Sequence, residues 1–140
     1  ICARLLKPGG SMLLQAITIA EQRFEAAKHS VDFIQRYIFP GGALACVKTL
    51  VEVSAAEQAG FRVYGLEDIT PHYALTMARW RDAFEANLTE IKALGLSETF
   101  LRMWRYYFCY CEAGFRQRAI GCVHMQLHLP GFQLEVAAHD

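Results

Sequence analysis

The stretch LLKPGGSMLLQAI, residues 5–17, constrains the fold more than any other part of the chain. A helix-ending segment runs into a Pro-Gly-Gly turn, and the short apolar run after it is bounded by polar residues, as a buried strand is. A strand this apolar usually lies inside a sheet covered on both faces. Its periodicity leaves open whether the neighbouring strands run parallel or antiparallel. The other residues offer few further strands, so the sheet is expected to lack partners within these 140 residues. The opening reads like the middle of a domain.

The pass along the chain gives helix end, strand, helix, strand, two long helices, strand. After a polar stretch from Glu21 to Ser30, VDFIQRYIFPGG concentrates Phe33, Ile34, Tyr37, Ile38 and Phe39 before a second Pro-Gly-Gly break. Leu44, Val47, Val51 and Ala55 then recur at helical spacing up to Gly60. FRVYGLEDI, residues 61–69, alternates as a strand does. Thr70-Pro71 reads as an N-cap followed by proline in the first helical position. The helix it opens is expected to carry Tyr73, Met77, Trp80, Phe84, Leu88 and Ile91 on one face and to end near Gly95. A second long helix from about Ser97 lines up Phe100, Trp104, Tyr107, Phe108, Cys111 and Phe115. Its polar stripe pairs Glu98 with Arg102 and Glu112 with Arg116 at i,i+4 spacing. IGCVHMQLHL, from residue 120, alternates as a strand with one semi-polar side carrying Cys122, His124, Gln126 and His128.

Composition narrows the function. An apolar content of 54% supports one compact domain. Lys plus Arg and Asp plus Glu balance at 14 each, so no overall field draws the chain to nucleic acid or an anionic surface. Any lipid contact must then be mainly apolar. Five cysteines without CxxC pairs point to a reduced, cytoplasmic setting. No apolar run approaches the roughly 18 residues of a membrane span, so any membrane contact is expected to be peripheral. Cys109 and Cys111 diverge on a helix, and His124 and His128 lack a third ligand. No metal site is expected.

LLKPGG with its strand resembles the fifth strand of class I S-adenosylmethionine (SAM)-dependent methyltransferases. DFIQRYIFPGG (32–42), HYALTMARWRDAF (72–84) and YYFCYCEAGFRQRAIG (106–121), in this order and spacing, are similar to the C-terminal part of the cyclopropane-fatty-acyl-phospholipid synthases. That family includes the mycolic acid cyclopropane synthases. The resemblance runs from Leu5 to about Pro130. It implies an α/β fold, the C-terminal part of a Rossmann-like class I methyltransferase, with residues 1–140 forming the substrate-side part of one domain. No glycine-rich nucleotide loop occurs in these residues, so the N-terminal SAM-binding half is absent from them and the chain alone is expected to be silent.

The resemblance further implies SAM as cofactor, phospholipid acyl chains as substrate and a bound bicarbonate as base. Methyl transfer to a cis double bond gives a carbocation, and loss of a proton closes a cyclopropane. The site must be greasy, stabilise a cation and accept a proton. Tyr73 matches the tyrosine of the HY motif, a bicarbonate ligand, and its place in a first helical turn suits an anion. The plainer reading is a ring packed beside Met77 and Trp80. Gln15 stands where relatives have histidine, near the carboxyl end of the first strand. It can donate a hydrogen bond but cannot take a proton, and it can equally satisfy strand-end backbone groups. Cys111 matches a cysteine treated as catalytic, although its apolar surroundings favour a packing role. The same resemblance puts Ile17, Phe39, Gly41, His72, Trp80, Tyr107 and Glu112 on the substrate- or anion-binding side. For Glu112 the ion pair with Arg116 is the simplest role, and the Phe33–Phe39 cluster reads as a wall or lid over an acyl chain, or as ordinary core.

Two other readings stand beside cyclopropanation. One is a related lipid methyltransferase without ring closure, which Gln15 favours. The other is a non-enzymatic apolar-ligand or interaction module, with dimerisation covering the incomplete sheet.

Overall fold

The computed structural model describes residues 1–133. Its centre is a three-stranded sheet of β1 (Ser11–Ile19), β2 (Arg62–Asp68) and β3 (Ile120–His128) in the order β1-β3-β2. The last strand returns between the first two and runs antiparallel to both. Ser11 pairs with His128 and Ile19 with Ile120, while β2 shifts register between Val63 and Gly65. The orientation that periodicity left open is therefore antiparallel throughout these pairs.

The strand expected to be covered on both faces is not. Met12 and Leu14 are half-buried under α1 (Cys2–Leu5) and α3 (Val47–Ala55), in a core with Phe61, Met125 and Leu127. On the other face Leu13 is 59% exposed, because the covering helices reach only the Ile17–Cys122 end. Along the edge away from β3, β1 meets only Ala45 among the described residues, through Ile19 N–H donating to its carbonyl at 3.0 Å.

The second core lies between the sheet, α4 (Thr70–Ala86) and α6 (Glu98–Arg116). Ala74 and Ala78 let α4 approach closely, while Met77, Phe108, Cys111 and Phe115 fill the space above Cys122. Each large side chain buried here contributes about 1.5–3 kcal/mol. Ser97 caps α6 by accepting from Phe100 N–H at 3.2 Å. Trp80, expected on the inner face of α4, is 49% exposed. The buried arc is set by Ala74, Met77 and Ala78, and Trp80 lies past its rim.

The single helix expected from Thr70 to Gly95 is broken at Asn87. The backbone and side-chain N–H groups of Asn87 both donate to Ala83, at 3.2 and 2.7 Å, and close α4 before α5 (Leu88–Ala93) begins. An asparagine side chain competing for helix carbonyls explains the break. The Glu98–Arg102 pair does not form. Glu98 meets Lys92 at 2.9 Å, and Glu85 takes Arg105 in a bidentate bridge at 2.6 and 2.9 Å. After α2 (Glu21–Lys28), residues Ile34–Ile38 form one turn of π-helix, closed by Phe39 N–H donating to Ile34 at 2.8 Å.

Candidate active site

The start of α4 is held by a small polar joint. Thr70 is not the N-cap that its sequence suggests. Its hydroxyl is buried and accepts from Cys122 N–H at 3.0 Å, continuing the β2–β3 ladder by a side chain, while Ile69 N–H donates to Cys122 at 2.9 Å. Asp68 takes the capping role instead. Its carboxylate accepts from Thr70 N–H at 2.9 Å and from Arg118 at 2.6 Å. The Thr70 hydrogen bonds, then the Arg118 guanidinium, pull its pKa down to about 2. Gly121 completes the joint, since a Cβ there would meet the hydroxyls of Thr18 at 3.0 Å and Thr70 at 3.3 Å.

One turn later Tyr73 enters the apolar core. Its ring packs on Phe115 with centroids 5.0 Å apart, and burial, followed by the neighbouring Cys122 and Cys111, pushes its hydroxyl pKa up. Ile17 from β1 and Tyr107 from α6 pack against the same cluster. The Tyr107 hydroxyl faces the Cys111 thiol, and burial raises them to about 12 and about 11. Both groups are thus neutral and protonated near neutral pH, and Cys111 is no thiolate nucleophile. Phe39 and Trp104 extend the wall, at 5.9 and 5.3 Å from the Tyr107 ring.

Ile17, Tyr73, Tyr107, Cys111 and Phe39 are therefore joined in one aromatic-lined wall, whereas other named residues are not. His72 and Trp80 are exposed. Gly41 sits at an exposed turn with φ of 82° and nothing close to it. Glu112 is enclosed by Arg81 and by Arg116, the latter at 2.8 Å, so its carboxylate is committed to two guanidiniums. Phe33 leans on Tyr106 of α6 at 4.7 Å, beside Tyr37 at 5.7 Å.

Gln15 lies in the middle of β1 rather than near its end, because the strand continues to Ile19. Cross-strand pairing places it opposite His124, which in turn faces Glu67 on β2. Gln15 Oε1 is 2.9 Å from His124 Nε2, and Glu67 Oε2 is 3.7 Å from His124 Nδ1. This polar row is one step along the sheet from the Ile17–Cys122 row. The sequence marked His124 as structural or solvated, and strand register was the missing signal. His128 is buried between Tyr64 and Phe132 with neither ring nitrogen bonded among the described residues.

An antiparallel last strand inserted between its two predecessors, with paired helices over one end, defines the closing half of an α/β methyltransferase sheet. A family model described as mycolic acid cyclopropane synthetase matches residues 1–125, and the chain belongs to that family. It is 39% identical over 113 residues to tuberculostearic acid methyltransferase UfaA1 of Mycobacterium tuberculosis, a match covering 81% of this chain and 26% of the relative. To cyclopropane mycolic acid synthase 3 of the same organism it is 36% identical over 123 residues, covering 81% and 42%. Among solved structures, cyclopropane synthase MmaA2 from M. tuberculosis superposes with a TM-score of 0.77 at 26% identity, covering 91% of this chain and 47% of that one. Mycolic acid cyclopropane synthase CmaA1, complexed with SAH and CTAB, gives 0.77 at 30% identity, covering 89% and 46%. The chain spans less than half the length of each of these proteins. Among the described residues, no helix is long and apolar enough to cross a membrane.

Proposed function

We propose that this chain forms the acyl-chain side of a SAM-dependent methyltransferase that adds a methylene across a cis double bond of phospholipid acyl chains. The observation that carries this reading is the wall of Ile17, Tyr73, Tyr107, Cys111 and Phe39: it is apolar, aromatic and supplied with hydroxyls that burial keeps protonated. Such a wall holds an alkene, excludes water and turns ring faces toward a developing cation. The family and the SAH-containing relative support the cofactor. This chain's residues do not themselves form a nucleotide cradle, since they carry no glycine-rich loop; the cofactor, held elsewhere, supplies the electrophilic methyl group.

In this reading the Tyr73 hydroxyl donates to an anion such as bicarbonate, with Gln15 as a second donor, and the anion takes the proton released as the ring closes. Neither the high-pKa thiol of Cys111 nor an amide can do so. The exposed aromatic residues Tyr37, Phe39 and Trp80 support peripheral contact with a lipid surface. Methyl transfer without ring closure is the second reading, favoured by Gln15 and by a relative named as a methyltransferase. Mass spectrometry of lipids from cells expressing the intact protein separates the outcomes. Gain of one methylene unit with loss of the double bond supports cyclopropanation; retained unsaturation supports the second reading, and unchanged lipids refute both.

A further inference from the structure

The sheet carries one polar row of which the proposed chemistry uses only Gln15. Gln15, His124 and Glu67 lie side by side on three adjacent strands, in register, on the face where Tyr73 and Cys111 cover Cys122. They are far apart in sequence, with 109 positions between Gln15 and His124. The contact thus exists only because β3 inserts between β1 and β2.

A glutamine amide presents a donor end or an acceptor end, and only one suits an anion. Left to itself it rotates between them. Here Gln15 Oε1 lies 2.9 Å from His124 Nε2, and since an amide oxygen can only accept, this contact is a hydrogen bond in the tautomer with the hydrogen on Nε2. Gln15's NH2 group is thereby turned away from His124, and among the described residues it has no hydrogen-bond partner. On the other side of the ring the Glu67 carboxylate lies 3.7 Å from Nδ1. His124 is about a third exposed and sits one alternate residue beyond Cys122 on the same strand face, next to the row that Tyr73 overlies.

We propose that His124 is a positioning residue that fixes the amide of Gln15 as a hydrogen-bond donor toward an anion beside Tyr73. The proposal rests on the anion-assisted reading given above. It explains how a glutamine serves at this strand position, since an unpinned amide can turn its carbonyl toward the anion.

The test uses the intact protein and bicarbonate as the probe. In His124→Leu, the bicarbonate concentration giving half-maximal methyl transfer should rise about fivefold to tenfold, the net worth of one hydrogen bond, while KM for SAM stays unchanged. His124→Gln retains a donor and should bring the bicarbonate dependence back within about twofold. A merely structural role would shift KM for SAM and stability together, and would not distinguish Leu from Gln in bicarbonate alone. The proposal is overturned if His124→Leu leaves the bicarbonate dependence unchanged, or if Gln behaves as Leu does. Should the unaltered protein be indifferent to bicarbonate, the anion reading itself falls. Ring-nitrogen NMR of His124 then decides the positioning: a protonated Nε2 coupled to Gln15 sustains it, and a bare Nε2 ends it.

Discussion

Asp68 is the group whose removal most directly loosens the site. It joins the end of β2 to the first turn of α4, so Tyr73 depends on it through one helical turn. Asp68→Ala removes a cap worth about 1 kcal/mol and an exposed ion pair worth under about 1 kcal/mol. Asp68→Asn keeps an acceptor for Thr70 N–H and loses only the charge. The depressed carboxyl gives an independent magnitude. Moving from 3.8 to about 2 corresponds at face value to roughly 2.5 kcal/mol, and screening of a side chain 48% exposed reduces that to about 1 kcal/mol. We therefore expect Ala to destabilise by about 1–2 kcal/mol and Asn by about half as much. Because the folded pKa is lowered, the stability is present above the unfolded value and fades as pH falls through the folded one. Urea unfolding followed by tryptophan fluorescence should show the gap between Asp68→Asn and the unaltered protein at full size near pH 6 and roughly halved near pH 3. A gap that is absent at pH 6, or that persists undiminished near pH 3, would refute the reasoning.

Other consequences follow from single side chains. Gly121→Ala pushes a methyl against the Thr18 and Thr70 hydroxyls and should lower stability by about 1–3 kcal/mol in denaturant unfolding; an unchanged midpoint would contradict the close approach. His128→Leu removes a buried imidazole with no hydrogen-bond partner among the described residues and should raise stability by about 1 kcal/mol, whereas a loss would show that the ring is satisfied. Cys111, buried with its pKa near 11, should be alkylated by iodoacetamide near pH 8 far more slowly than exposed Cys2 and Cys109, as peptide mapping would record; preferential labelling of Cys111 would contradict its neutral state. Tyr73→Phe should reduce methyl transfer by the intact protein about tenfold or more while leaving its unfolding midpoint nearly unchanged, and undiminished transfer would remove the hydroxyl from the site.

Much of the architecture was legible because it is local. LLKPGG, FRVYGLEDI and the apolar stripe through Phe108, Cys111 and Phe115 each declare an element, and the structure forms each one. Contacts made by return of the chain were hidden. Thr70-Pro71 has the residues of an N-cap, yet the hydroxyl is drawn off to Cys122, a partner 52 positions away, and Asp68 takes its place. Asn87 broke a helix that its flanking residues would continue, because side-chain competition for a carbonyl leaves no periodic signature. The π-turn at Ile34–Ile38 was hidden for a related reason: its aromatic residues match helical spacing, and its distinction lies in the backbone hydrogen bond. At the site, Tyr73 and Tyr107 could be placed by helical phase, whereas Trp80 shared nearly the phase of Tyr73 and fell outside the wall because Ala74 and Ala78 steer the packing. The Gln15–His124–Glu67 row required strand order, which no single stretch encodes.

The central claim is that these residues form the lipid side of a methyltransferase for unsaturated chains. Its most direct test gives the intact protein SAM labelled in the methyl group, with phospholipid vesicles of matched head group carrying either cis-unsaturated or saturated chains. The account predicts label in the acyl chains of the unsaturated vesicles alone. Label appearing equally in both, on the head group, or in neither would contradict it.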